Sequence, residues 1–297
     1  MPWYLYSLLT SLSLVGLYLC IKWLTARGIE PKQILLFMSA FASLGFLAAA
    51  APSLAAVVRS SLFPGFLAAA TFAGAFAAVG HWADFEAIKR APNPGFATAL
   101  RNSSILPVTV FSVFLFGSAF HVLKLAGAVL ILAGIAALVV DTKASAGRRG
   151  AGQASDRRWV GLALVAMASY TLMVFGIKKA TLLGFSAPEI CLCIYIINVA
   201  FFWAVCRKEV RGFLRDKARL RIFVPVTLVC ALFAVAVNLL NIKGLGLAPN
   251  PGYHEALRST NLLFITLLAI PLFSASLDRQ KLIGVVVIVV GMVVLVA

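Results

Sequence analysis

Apolar runs of about 20 residues follow one another from end to end of the chain, and each is long enough to cross a hydrocarbon core as a helix. Short polar or basic stretches separate them. Ten spans are predicted, at roughly 3–26, 31–55, 62–88, 94–117, 121–140, 159–183, 187–206, 221–246, 251–274 and 278–297. The first, "MPWYLYSLLTSLSLVGLYLCIKW", lacks the basic n-region and small-residue cleavage site of a signal peptide, so it is expected to be retained. The one low-complexity segment, "DTKASAGRRGAGQASDRR", is small, polar and basic, as an exposed connection is. It divides the chain into a five-span block over 1–141, a linker over 142–158 and a second five-span block over 159–297.

The blocks repeat one another. "APNPGFATALR" begins at Ala91 and "APNPGYHEALR" at Ala248, and eight of the eleven residues are identical. The same offset of 157 carries Lys124 to Lys281, Gly127 to Gly284 and Gly134 to Gly291, and an offset one shorter carries Lys22 and Gly28 to Lys178 and Gly184. An ordered set of matches at one offset means internal duplication. Five crossings leave the chain on the opposite side, so a short linker starts the second block upside down. The expected fold is therefore all-α and polytopic, with ten transmembrane helices as two inverted five-helix repeats about an axis in the membrane plane.

Composition agrees with the class: 62% of residues are hydrophobic, 12% are charged and the mean hydropathy is +1.00, against about 45–50% apolar and 25% charged for soluble domains. A net charge of +16 would suggest a nucleic-acid partner in a soluble protein. Here Lys and Arg concentrate between the apolar runs and read as a topology signal instead. Of the 26, five fall on the side of the termini and nineteen on the side of the linker, which places the linker in the cytoplasm. The membrane expected is the plasma (inner) membrane, or an organelle membrane in a eukaryote. Cys191 and Cys193 form a CxC rather than a metal-binding pair of CxxC motifs, and all five cysteines fit small buried hydrophobes. No metal or cofactor is expected.

Two arginines stand out. Arg101 and Arg258 fall two turns into the fourth and ninth spans, where an arginine at mid-helix costs about 2.5–3.5 kcal/mol unless partner or water compensates. His254, Arg258 and Asn261 share a helix face by i, i+4, i+7 spacing, with Glu255 three residues before Arg258. The two guanidinium groups are candidates to hold an anionic group of a substrate; alternatively each is paired structurally, with Glu255 or with Asp84 or Glu86. His81 and Asp84 on the third span match Asn238 and Asn241 on the eighth, giving each half a polar stripe that suits either a cavity wall or interhelical hydrogen bonding. Asp84 and Glu255 are proton-coupling candidates, His81 with Asp84 forming a conceivable relay. Lys22 and Lys178 either contact substrate or snorkel to the interface.

In each APNPG corner the asparagine suits an N-cap and the following proline the first helical position. The helix N-terminus behind it serves either as a structural corner or as a positive end facing a cavity. Gly127 and Gly134 with Gly284 and Gly291 leave small-residue seams on spans five and ten, for packing within the chain or for a homodimer. Catalytic motifs are lacking: in "YHEALR" position i+4 from His254 is Arg258, so it is not HExxH, and neither GxSxG nor a P-loop occurs.

Ten spans in two blocks, with "AIKRAPNPGFATALRNSSILPVTVFSVFLFGSAFHVLKLAGAVLILAGIAAL" and its second-half copy, resemble the drug/metabolite transporter superfamily, specifically EamA-type members. The resemblance covers essentially the whole chain. It implies a secondary carrier working by alternating access around a central cavity lined by spans 1, 3, 4, 6, 8 and 9. The substrate expected here is a small polar metabolite, anionic or zwitterionic, with efflux of cationic or lipophilic compounds and a non-transporting membrane scaffold as rivals. Two features depart from the family pattern. The usual "GER" turn reads "GSAFH" here, and family habit puts the termini in the cytoplasm, opposite to the charge count.

Overall fold

The structure is a computed structural model that describes residues 1–91, 94–139, 158–273 and 279–297. The linker, apart from Arg158, lies outside the described residues, as do Pro92 and Asn93 of the first corner. Among the described residues the secondary structure is all helix: α1 (Trp3–Thr25), α2 (Pro31–Arg59), α3 (Phe63–Arg90), α4 (Pro94–Asn102), α5 (Ile105–Phe116), α6 (Val122–Val139), α7 (Arg158–Leu182), α8 (Ala187–Phe213), α9 (Lys217–Leu247), α10 (Pro251–Arg258), α11 (Asn261–Phe273) and α12 (Arg279–Val296). Among the described residues, eight helical stretches are long and apolar enough to cross a membrane: α1, α2, α3, Phe96–Phe116, α7, α8, α9 and α12. The chain is an integral, multi-pass helical membrane protein.

Each of the ten predicted spans coincides with helix, but the fourth and ninth are not continuous. Each is broken into a short and a longer piece, α4/α5 and α10/α11. At the first break the Ser103 hydroxyl donates to the Leu100 carbonyl, and at the second the Thr260 hydroxyl donates to the Leu257 carbonyl, at the same offset of 157. A hydroxyl bonded three residues back offers the chain an alternative to the helical ladder. In α5, Pro107 also lacks the N–H that would bond the Ser103 carbonyl. The arginines are thus not at mid-helix: Arg101 lies in the last turn of α4 and Arg258 ends α10, where a cation faces the negative end of the helix dipole.

The helices pack in matched pairs. α3 lies along α7 and α1 along α9, while α6 lies against α12 and α2 against α8. The α3–α7 contact is close because α3 is rich in alanine and glycine: a Cβ on Gly176 would stand 2.9 Å from the Ala69 carbonyl oxygen and from Ala73 Cβ. The glycine seams face each other inside the chain, a Cβ at Gly134 standing 2.8 Å from the Gly284 carbonyl oxygen and one at Gly291 standing 2.9 Å from that of Gly127. These contacts run in opposite directions along the two helices, so α6 and α12 are antiparallel. Within the chain, each glycine seam packs on its own repeat mate.

The hairpin turns repeat as well. Gly28 and Gly184 adopt left-handed backbone (φ 76° and 86°), and Ile29 N–H bonds Leu24 O as Phe185 N–H bonds Ala180 O. This is the same helix-ending loop twice, and at both positions a Cβ is disfavoured. In the first turn of α8, Glu189 closes a capping box with Ser186 and accepts from Ser53 of α2, a carboxylate at a positive helix end.

Candidate functional site

A cavity of about 340 Å³ lies at mid-molecule, where both helix breaks meet. It is walled by α1, α3, α4, α7, α9, α10 and α11, and in addition by α2 and α8, which contribute Met38 and Ser39, and Tyr195 and Asn198. From the breaks it runs toward the end where α1 finishes and α2 begins, past Ile21, Leu35 and Ile88. Its volume is near the lower end of the roughly 300–1,000 Å³ of small-molecule pockets.

Of the residues singled out in the sequence, His81, Asp84, Arg101, Asn238, Asn241, Glu255, Arg258 and Asn261 line this cavity. Arg101 Nη1 donates to Asp84 Oδ2 at 2.9 Å, and its Nη2 and Nε reach Asn102 Oδ1 at 2.9 and 3.2 Å. Arg258 Nη2 donates to Glu255 Oε2. Both arginines therefore carry a carboxylate, as the structural alternative anticipated. The pairs nevertheless stay reachable from the cavity: the arginine side chains are 17% and 25% exposed, their carboxylates 8% and 6%. Asp84 Oδ1, Glu255 Oε1, Arg258 Nε and Asn102 Nδ2 are buried without a partner among the described residues.

The polar stripes belong to hydrogen-bonded walls. His81 Nδ1 lies 2.9 Å from Tyr170 Oη, and Asn238 Nδ2 donates to Tyr195 Oη at 2.8 Å. The His81–Asp84 relay is not the arrangement found, since His81 turns to tyrosine and Asp84 to arginine. His254 is fully buried outside the cavity, with Nδ1 2.7 Å from Ser7 Oγ and Nε2 2.9 Å from Asn241 Oδ1. It orients a cavity residue rather than lining the cavity. The lysines stay outside too. Lys178 Nζ donates to the carbonyls of Leu245 and Gly246 at the end of α9, and Lys22 is exposed on the last turn of α1.

At the other end of the molecule the second APNPG corner is clamped shut. Asn250 caps α10 by accepting from Gly252 N–H, and its Nδ2 donates to the carbonyls of Thr109 (3.0 Å) and Ala119 (3.3 Å). Tyr253 Oη accepts from His121 N–H and donates to its carbonyl, while Gly252 packs directly on Thr109. The positive N-terminus of α10 thus packs on Thr109 of α5 and is tied to the α5–α6 turn, and does not face the cavity. This corner has the structural role.

Sequence reasoning missed Tyr18, Tyr170, Tyr195 and Asn198. A signal existed for the last two, because Tyr195 and Asn198 stand three apart in the otherwise apolar "ICLCIYIINVAFF". Tyrosine in a span reads as ordinary filler until its hydroxyl partner is known.

No protein-family model matches the chain, and no curated protein does. A solved structure described only as "crystal structure of protein" superposes with a TM-score of 0.71 at 18% identity, covering 98% of this chain and 95% of that one. Identity that low makes the likeness one of fold alone.

Proposed function

We propose that the protein is a secondary carrier of a small polar metabolite, anionic or zwitterionic, built like the EamA-type drug/metabolite transporters as two inverted five-helix repeats. One observation carries this reading: a polar cavity sits where two repeat-related broken helices meet, with an arginine at the end of each. Broken helices whose ends face a mid-membrane site are a recurrent device of secondary transporters, and charges inside a membrane mark a substrate path more often than a scaffold. The inversion is supported by the glycine contacts. Gly127 meets Gly291 and Gly134 meets Gly284, the reciprocal pattern a twofold axis requires, and antiparallel α6 and α12 set that axis perpendicular to the helices. Rocking of one half against the other exposes the cavity to each side in turn, with the plasma (inner) membrane as its place of work.

Reconstitution into proteoliposomes tests the reading, with organic acids, amino acids, phosphorylated metabolites and organic cations offered in turn. Saturable flux of one class is expected, falling about tenfold or more in Arg101→Gln and Arg258→Gln while detergent-purified protein remains monodisperse. Flux indifferent to both substitutions removes the arginines from the mechanism, and no flux of any class rejects the carrier.

A further inference from the structure

We infer that the cavity is built for a small zwitterion of zero net charge and discriminates against the matching monoanion and monocation. This rests on the carrier reading of the same site but concerns only what the site holds. Sequence alone draws the eye to two arginines and so to an anion. The structure sets a carboxylate beside each, and among the described residues the charged groups lining the cavity, Arg101, Arg258, Asp84 and Glu255, sum to zero.

An anion arriving alone meets guanidinium groups already engaged and leaves the cavity with an excess negative charge away from bulk water; a cation leaves the opposite excess. Either carries a desolvation penalty that the protein does not balance. A molecule bearing both signs keeps the sum at zero and offers each pair the ion opposite to one of its members.

The unpaired hydrogen-bonding capacity of the wall is likewise divided between the two signs. Asp84 Oδ1 and Glu255 Oε1 accept, while Arg258 Nε and Asn102 Nδ2 donate. All four belong to residues of the cavity wall, and Asp84, Asn102 and Glu255 are more than nine-tenths buried. Buried polar groups are normally satisfied. On the same cavity wall, Tyr18, Tyr170, Ile177 and Ile194 supply an amphipathic and apolar surface for a compact hydrocarbon body.

Leucine, 4-methylpentanoate and 3-methylbutylamine share one hydrocarbon body and differ only in charge, so equilibrium dialysis of the three against purified full-length protein is the test. Leucine is expected to be held about tenfold or more tighter than either ion. Asp84→Asn makes the wall net positive and is expected to shift preference toward 4-methylpentanoate by about tenfold; Arg101→Gln shifts it toward 3-methylbutylamine by a similar factor. Wild-type protein that holds either ion as well as leucine, or holds none of the three, overturns the inference. An unchanged order in both variants, with thermal unfolding showing them folded, does the same. Dialysis needs no transport. Charge-ordered binding without flux in proteoliposomes therefore rejects the carrier and leaves this inference standing, whereas flux of the anion in preference to leucine rejects this inference and leaves the carrier.

Discussion

At the scale of the residue, the pair between Asp84 of α3 and Arg101 of α4 is the contact on which most else depends. Neither partner faces open water, and each retains hydrogen-bonding capacity beyond the other. Asp84→Asn removes the counter-charge of a guanidinium that still has Asn102, so the loss of stability is expected to be about 1–3 kcal/mol. Arg101→Gln strands the carboxylate instead, at similar cost. The double variant, with an amide facing an amide, is expected to recover part of the sum, giving a coupling above about 0.5 kcal/mol in a cycle of thermal unfolding measurements. Strict additivity would mean that the two do not act as a pair. This much of the site was half legible. A charge inside an apolar run is conspicuous, and Glu255 sits within helical reach of Arg258. Nothing in spacing alone, however, tells whether His81 or Arg101 takes Asp84, because they approach from separate helices, and hidden cross-helix partners also removed His254 from the cavity by handing it to Ser7.

At the scale of the element, the decisive feature is the discontinuity of spans four and nine. Hydropathy sees "FATALRNSSILPVTVFSVFLF" as one apolar run, and so predicts one helix. What breaks it is local chemistry of the kind a window average removes: hydroxyls that bond back to carbonyls, and Pro107 just beyond. The signal was present in "RNSSILP" and "RSTNLLF", where small hydroxyl residues follow both arginines. If the break positions the cavity wall, healing it must disturb the wall without weakening the protein. Ser103→Ala with Pro107→Ala restores a ladder bond and removes the competing one, so the unfolding temperature is expected to hold or rise. Substrate flux is expected to fall about tenfold, since a one-residue misplacement of Ser104 and Thr98 is enough to lose productive geometry. Equal flux with equal stability would assign the break to packing alone.

At the scale of the whole molecule, the two ends differ. The cavity lining extends to Ile21, Leu35 and Ile88 toward one end, whereas toward the other end Asn250 fastens the start of α10 to α5 and to the α5–α6 turn. Repeats copied from one sequence need not occupy the same state, and a carrier with both ends alike would leak or lock. Asn250 contributes two hydrogen bonds across the clamp and Tyr253 two more; at about 1 kcal/mol each, losing the Asn250 pair tilts the balance toward opening at this end by roughly 10- to 30-fold. The measurement uses a variant with its five native cysteines replaced and Ser259, on the cavity wall, changed to cysteine. A membrane-impermeant thiol reagent applied from the side of the termini is expected to label it slowly, and from the opposite side quickly. Adding Asn250→Ala is expected to speed labelling from the terminal side by about tenfold, and Tyr253→Phe by less, because its ring still fills the site. Fast labelling from the terminal side with the clamp intact would show that these hydrogen bonds do not close the path, and that the asymmetry between the ends lies elsewhere in the packing of α10 on α1 and α5.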